Sequence, residues 1–251
     1  MPRHYKYRID ASGTLQAQRA AWERRPLLRL LYRDWFRRME SELSAVPGPT
    51  VELGAGIGAF KEFRPETVAT DALPSPWADA VVDAEELPYD DGSVANLVMV
   101  DVFHHVPRPG RFLREAARAL APGGRVVMVE PYCSPVSTPL YRRFHQERTD
   151  LSADPFGGDA LSSDEPFEGN QALPTLVFWR GLERYRAAHP ELEVTHRERL
   201  ALLAYPLSGG FSRRPLVPPR VGRALLAAER GLAFAAPLMA FRCLVTLQRR
   251  R

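Results

Sequence analysis

The sequence predicts an α/β protein organised around a doubly wound, mainly parallel sheet. Three observations point there. Short apolar runs alternate with turns and helical segments across residues 50–129, and the first run ends in closely spaced glycines, Gly54, Gly56 and Gly58. Residues 109–120 place Phe112, Leu113, Ala116, Ala117 and Leu120 on one helical face. Apolar runs this short, closed by Gly- or Asp-bearing turns, suit strands buried on both faces, and strand alternating with helix builds a parallel sheet.

The elements follow in order. Residues 14–43 read as helix, with Leu15, Trp22, Leu27, Leu30, Leu31, Trp35, Phe36 and Met39 among many arginines. Pro26 kinks that stretch or starts a second helix. The pair is either packing on the domain or a lid over a ligand cleft. Val46-Pro47-Gly48-Pro49 ends it, and strands are expected at Thr50–Leu53, 68–70, 80–82, Val94–Val100 and 125–129. Only residues 72–79 separate the second strand from the third, and they contain Pro74, Pro76 and Trp77. A parallel crossover ordinarily needs a dozen or more residues, so a loop replaces the helix, with Trp77 filling the gap or flanking a bound base. Beyond Tyr132 the pattern loosens. Residues 151–170 are acidic and rich in Gly, Ser and Pro, which predicts a loop; residues 174–189 predict a helix, and two last strands are expected at 192–203 and 241–247 around a helix at 221–234. There is no internal repeat.

Composition bounds the function. The chain has 251 residues, 45% hydrophobic and 25% charged, which excludes a disordered, collagenous or disulfide-stapled protein. One domain is expected over 1–251: a helical lid at 1–46, a ligand-binding core at 47–131 and a capping region with the final strands at 132–251. Of 34 basic residues only Lys6 and Lys61 are lysine, and the net charge is +4. The arginines are spread along the chain instead of gathered on one stretch, so no nucleic-acid partner is expected. Cys133 and Cys243 lack CxxC spacing, which excludes a zinc ribbon and points to a reducing compartment. Residues 1–10 carry no apolar signal core. The most apolar stretch, 232–247, is broken by Pro237 and Arg242 and is too short to span a bilayer. A cytoplasmic address follows, with peripheral membrane contact left open by the arginine-rich helices and the stretch near Leu232.

The segment Val51-Glu52-Leu53-Gly54-Ala55-Gly56-Ile57-Gly58 carries the most chemistry. Glycines ending a strand let the backbone turn sharply and approach a ligand, at the sheet edge where open α/β proteins bind. Asp71 stands 19 residues after Glu52, where a carboxylate can accept from ribose hydroxyls. Asp83-Ala84 closes the third strand and leads into Leu87-Pro88-Tyr89. Asp101-Val102-Phe103-His104-His105 closes the fourth, and Pro122-Gly123-Gly124 turns into the fifth. A pyrophosphate needs free helix N-terminal amides, whereas Glu52 inside the loop suits a cationic group. Glu52, Asp71 and Asp83 together favour a ligand with an amine and a diol over a diphosphate.

This ordered set resembles the class I S-adenosylmethionine-dependent methyltransferases, in particular the small-molecule branch related to the ubiquinone/menaquinone C-methyltransferases. The resemblance covers residues 50–131. It implies a Rossmann-like seven-stranded sheet in the order 3-2-1-4-5-7-6 with the last strand antiparallel, and S-adenosylmethionine as cofactor. It also implies Glu52 near the methionyl amine, and Leu53, Gly54, Ala55 and Gly56 walling the methionine portion. Asp71, with Ala72 beside it, would hold the ribose; Asp83 and the Ala84 amide would meet the adenine, and Asp101 would lie by the methionine moiety.

Methyl transfer from a sulfonium is an in-line displacement in which proximity carries much of the rate. A base is needed only where the acceptor keeps its proton. His104, His105 and Glu130 are the candidate catalytic groups, with Tyr132 and His145 behind them. Adjacent histidines in an extended turn point in opposite directions, so one of the two is expected to face the acceptor. No metal is expected: His104-His105 lacks the spacing that places two imidazoles on one helix face, and Asp154, Asp159, Asp164, Glu165 and Glu168 do not follow a calcium-loop spacing. Phe144, Phe156, Phe167, Leu176, Phe178, Trp179, Tyr205 and Phe211 supply either an aromatic pocket for a small hydrophobic acceptor or core packing. Two other functions compete. One is an NAD(P)-dependent oxidoreductase, since Gly54, Gly56 and Ala59 satisfy the relaxed dinucleotide pattern, although no Tyr-x-x-x-Lys pair is present. The other is a non-catalytic partner that keeps the fold.

Overall fold

A computed structural model describes residues 11–157, 160–161 and 168–251 of the chain. The expectations for residues 1–10 and for Asp159, Asp164, Glu165 and Phe167 lie outside the described residues. Seven strands form one sheet: β1 Thr50–Leu53, β2 Val68–Asp71, β3 Ala80–Val81, β4 Val94–Val100, β5 Leu120–Pro131, β6 Leu192–Leu200 and β7 Arg242–Arg249. Their order is β3-β2-β1-β4-β5-β7-β6. The first five pair in parallel, and β7 runs antiparallel to both β5 and β6. This is the expected order and direction. The apolar runs of β1, β4, β5 and β7 are buried on both faces because helices cover both sides, the arrangement that a parallel sheet demands.

Ten helices are described: α1 Ala11–Arg24, α2 Pro26–Ser41, α3 Ala59–Phe63, α4 Pro109–Ala119, α5 Ser137–Phe144, α6 Leu173–Thr175, α7 Leu182–Ala188, α8 Ala204–Ser208, α9 Gly222–Gly231 and α10 Ala236–Met239. Pro26 opens α2 as its first residue, where the missing N–H costs nothing. The buried stripe of α2, Leu28, Tyr32, Trp35, Phe36 and Met39, meets the core through Phe36 on Phe60 at 5.2 Å. It meets the capping region through Trp35 on Tyr205 and Tyr32 on Phe211, at 5.5 and 5.6 Å. The N-terminal helices are therefore wedged between core and cap.

Three departures from the periodicity have local causes. Residues 72–79 form the expected loop, where Trp77 packs so closely on Gly58 (φ +71°) that a Cβ there would lie 2.9 Å from its own Cβ. Trp77 thus fills the place of the missing crossover helix. The helix expected at 174–189 is broken into α6, a wide turn at Leu176–Arg180, and α7. The turn closes with the Gly181 amide donating to the Leu176 carbonyl, 2.8 Å, five residues back. A Cβ at Gly181 would meet that oxygen at 2.6 Å and Phe156 at 2.7 Å, so an ordinary helical residue has no room there. Finally β6 stops at Leu200, because Ala201 takes a left-handed φ of +61° and ends the ladder. Among the described residues no helix is long and apolar enough to cross a membrane. Both cysteines are free and buried.

Candidate functional site

The carboxyl ends of β1, β2 and β4 stand side by side in the sheet, and these ends and the turns after them carry the charged residues. After Leu53 the chain turns through Gly54 at φ +70°, and a Cβ there would lie 2.4 Å from Val102 Cγ2. Glycine is thus demanded twice, by the dihedral and by the turn after β4 that presses on it. The Ala55 amide donates to the Thr70 carbonyl, 2.8 Å, tying the loop to β2. Gly56, at φ +52°, has open space where a side chain would sit, with Leu15 at 3.9 Å as the nearest atom.

Asp71 does more than the sequence suggests. One carboxylate oxygen accepts from the Gly56 amide (2.8 Å) and the other from the Leu73 amide (3.0 Å), so it clamps the glycine loop to its own turn. Burial raises its carboxyl, against the pull of those amides. Glu52 is 3% exposed, and its Oε2 has no hydrogen-bond partner. Burial first, then the charge of Asp71, pushes it up to about 8. A buried acceptor without a donor is costly, and a cation placed against it relieves both causes. Asp83 accepts from the Glu85 amide at 2.8 Å, with Ala84 half-buried between them.

Asp101, just past β4, takes a left-handed φ of +58°, an uncommon conformation that surrounding contacts must hold. Tyr32 from α2 donates to its Oδ2 at 3.1 Å, and Arg242 from β7 stands 3.4 Å from Oδ1. Buried Arg242 also donates to the hydroxyls of Tyr205, 2.6 Å, and Tyr141, 3.2 Å. Burial raises the Tyr32 hydroxyl and the charge of Asp101 raises it further, which keeps it a donor. This polar cluster joins α2, the turn after β4, α8 and β7. Tyr205 was among the aromatic residues expected to line a pocket or the core, whereas Tyr32 and Arg242 escaped the sequence reading as site residues; an arginine inside an otherwise apolar strand was the available signal, since arginine is rarely buried unless paired.

The two histidines do not diverge as expected. Residues Phe103–His105 form a turn of 3-10 helix, in which neighbours step by about 120° instead of alternating. Their rings lie 4.1 Å apart, centroid to centroid. Glu130, wholly buried at the end of β5, accepts from the amides of Val102 (2.8 Å) and Phe103 (2.7 Å) and pairs with His104 Nδ1 at 2.7 Å. Its carboxylate is enclosed by these donors, which makes it a positioning residue for the turn. On the far side of His104, Nε2 lies 3.0 Å from Glu147, a residue the sequence reading missed. Burial opposes a charge on His104, but the hydrogen bonds to Glu130 and Glu147 outweigh it and hold the ring up to about 10. Burial and the neighbouring His104 push His105 down.

Of the weaker candidates Tyr132 is placed elsewhere, whereas His145 borders Glu147. Tyr132 packs on Trp179 at 5.0 Å under Arg199, and His145 accepts from the Glu147 amide at 3.4 Å. The aromatic residues beyond β5 do not share one wall. Phe178 and Leu176 are core, Phe156 packs at Gly181, and Phe144 is exposed beneath two arginines. Tyr205 and Phe211 alone join Tyr32 near Asp101.

Sheet order and the glycine turn after β1 define a Rossmann-like methyltransferase fold. Residues 53–128 match the family described as methyltransferase domain. An uncharacterized methyltransferase of Mycobacterium tuberculosis is 34% identical over 110 residues, 38% of this chain and 42% of that protein. An uncharacterized 37.1 kDa protein of transposon TN4556 from Streptomyces fradiae is 34% identical over 105 residues, 37% of this chain and 30% of that one. The chain thus spans less than half the length of the curated relatives it matches. Among solved structures, a methyltransferase in complex with the Haloferax volcanii Trm112 methyltransferase activator shares the fold at TM-score 0.52 and 16% identity, over 96% of this chain and 97% of that chain. Geranyl diphosphate C-methyltransferase from Streptomyces coelicolor, solved with Mg2+, geranyl diphosphate and S-adenosyl-L-homocysteine, does so at TM-score 0.50 and 14% identity, over 86% and 80%. The fold is that of the class I S-adenosylmethionine-dependent methyltransferases, and residues 53–128 carry the methyltransferase-domain match.

Proposed function

We propose that the protein transfers a methyl group from S-adenosylmethionine to a small, hydrophobic or aromatic acceptor. The observation that carries the cofactor assignment into particular residues is the buried, unpartnered Oε2 of Glu52 beside Asp71. An ammonium group is the partner that such an oxygen lacks. Glu52 would hold the methionyl amine, the Leu53–Gly56 turn would wall the methionine portion, Asp71 would take the ribose diol, and Asp83 with the Ala84 amide would take the adenine. The bound cofactor supplies an electrophilic methyl carbon. The chain's own part is to place the acceptor and exclude water, and proximity of this kind can supply several kcal/mol of the barrier.

The acceptor side is supported by Tyr32, Tyr205 and Phe211, which offer ring faces next to the polar Asp101–Arg242 pair. An apolar wall with few polar groups suits a small ring-bearing molecule. His104 is held protonated between Glu130 and Glu147, so of the two histidines that follow Asp101 the proposed proton acceptor for an acceptor hydroxyl is His105, in the chain with no ion bound. Calorimetry with S-adenosylhomocysteine and with NAD, followed by transfer of labelled methyl to a panel of phenols, quinols and isoprenoids, tests this. Binding of S-adenosylhomocysteine that Glu52→Gln weakens, with labelled product from at least one acceptor, is expected. Binding of NAD alone would refute the assignment, and cofactor binding without turnover on any acceptor would favour a non-catalytic partner.

A further inference from the structure

We propose that His104, His105 and Glu147 bind a divalent first-row transition-metal ion. Among the described residues they are the group whose ligand atoms, one from each residue, all lie within 4.8 Å of one another. Glu147 stands 3.0 Å from His104 Nε2 through one oxygen and 3.7 Å from His105 Nε2 through the other. Two donors bound at about 2.1 Å to one tetrahedral ion are about 3.4 Å apart. The two separations from Glu147 bracket that value. Two imidazoles and a carboxylate suit Zn2+, Co2+ or Fe2+ better than the harder Mg2+ or Ca2+.

The stronger argument is how the three side chains are aimed. A metal-bound imidazole characteristically donates its remote N–H to a carboxylate or carbonyl, which fixes the tautomer and turns the other nitrogen's lone pair to the ion. Both histidines do this. His104 Nδ1 meets Glu130 at 2.7 Å, and His105 Nδ1 meets the Glu168 carbonyl at 3.1 Å. A carbonyl only accepts, so the proton of neutral His105 sits on Nδ1 and its bare Nε2 faces Glu147. An ion entering there would replace the proton that His104 Nε2 shares with Glu147 and would take up the bare Nε2 of His105. Glu147 is oriented in turn by the amide of Gln171. Gly169 lets the chain close over both rings: a Cβ there would lie 2.9 Å from His105 Nδ1 and 3.2 Å from His104 Cδ2. His145 stays outside, since its Nδ1 already accepts from the Glu147 amide at 3.4 Å. Glu147 keeps 21% of its side chain exposed, which gives an ion a path from solvent. Three protein ligands leave at least one position for water or an acceptor oxygen.

The inference does not rest on methyl transfer, and its test omits the methyl donor. The full chain is stripped with chelator and titrated with Co2+, followed by visible absorption and by elemental analysis after gel filtration. One Co2+ per chain with ligand-field bands of a four- or five-coordinate site is expected. Glu147→Gln and His105→Asn should each weaken Co2+ at least tenfold, while His145→Asn leaves it unchanged; an unchanged far-ultraviolet circular dichroism spectrum and urea midpoint certify that each variant is folded. The wild-type protein carries an independent readout: Zn2+ should move the 15N resonances of His104 and His105 at Nε2 and spare Nδ1. A chain that retains no Co2+, equal affinity in the Glu147 and His105 variants, or unmoved Nε2 resonances would each overturn the proposal.

Discussion

Replacing Glu52 with Gln isolates the electrostatics of the cofactor rim. The carboxyl is buried and partnerless at one oxygen, and its value is lifted from 4.5 to about 8 by desolvation and by Asp71. At about 1.4 kcal/mol per pH unit, ionising it in the folded protein costs on the order of 5 kcal/mol. Because the folded value lies above the unfolded one, the folded state binds the extra proton between pH 4.5 and about 8. This group therefore makes stability fall as pH rises through that window, and the loss is complete above it. The carboxamide of the Glu52→Gln variant cannot ionise, so the variant should equal wild type near pH 4.5 and exceed it by several kcal/mol at about pH 8.5. Urea denaturation of the apo protein at the two pH values measures the difference. The same carboxyl should lose its proton when an ammonium arrives, so S-adenosylhomocysteine binding at about pH 7 should release about 0.9 proton in wild type and almost none in the variant. Calorimetry in buffers of different ionisation enthalpy reads this directly. A stability difference that does not change with pH, together with equal proton release, would refute the assignment of Glu52.

Other perturbations probe the surrounding frame. Asp71→Ala should weaken S-adenosylhomocysteine at least tenfold, and it should also cost about 1–3 kcal/mol in denaturation because the Gly56 and Leu73 amides lose their acceptor. Unchanged affinity by calorimetry would remove Asp71 from the site. Gly54→Ala should destabilise by about 2–4 kcal/mol through its positive φ and the 2.4 Å approach to Val102; adding Val102→Ala should recover only the steric part, as urea midpoints will tell. Glu130→Gln should cost about 2–4 kcal/mol and drop the His104 titration, followed by NMR, from about 10 toward its ordinary range. A His104 ring that titrates as in wild type would show that Glu130 does not control it.

Much of this molecule is legible along the chain, and the reason is periodicity. Buried strands such as Val94–Val100 must be apolar throughout, helix α4 must show one apolar face, and the turn after β1 must use glycine where a Cβ would strike Val102. Each of these demands concerns residues near in sequence, so it leaves a local trace. Even the missing crossover helix is written in the shortness of residues 72–79. The broken helix near Gly181 is different, because the collision that excludes a side chain there comes partly from Phe156, outside the helical segment.

The site divides along the same line. Glu52 and Asp71 lie at the carboxyl ends of their strands and Asp101 directly follows its own, so strand order alone brings them to one edge. Tyr32, Arg242 and Tyr205 come from three distant segments that meet at Asp101 only because α2, α8 and β7 pack together at this sheet edge. His104 and His105 share a direction because Glu130 winds their turn into a 3-10 helix, and Glu147 reaches them from 43 residues beyond His104. Short-range sterics and hydrophobic patterning determine the sheet and the cofactor edge. Which polar side chains converge around an acceptor or an ion is decided by packing between remote segments, and no spacing in the sequence records it.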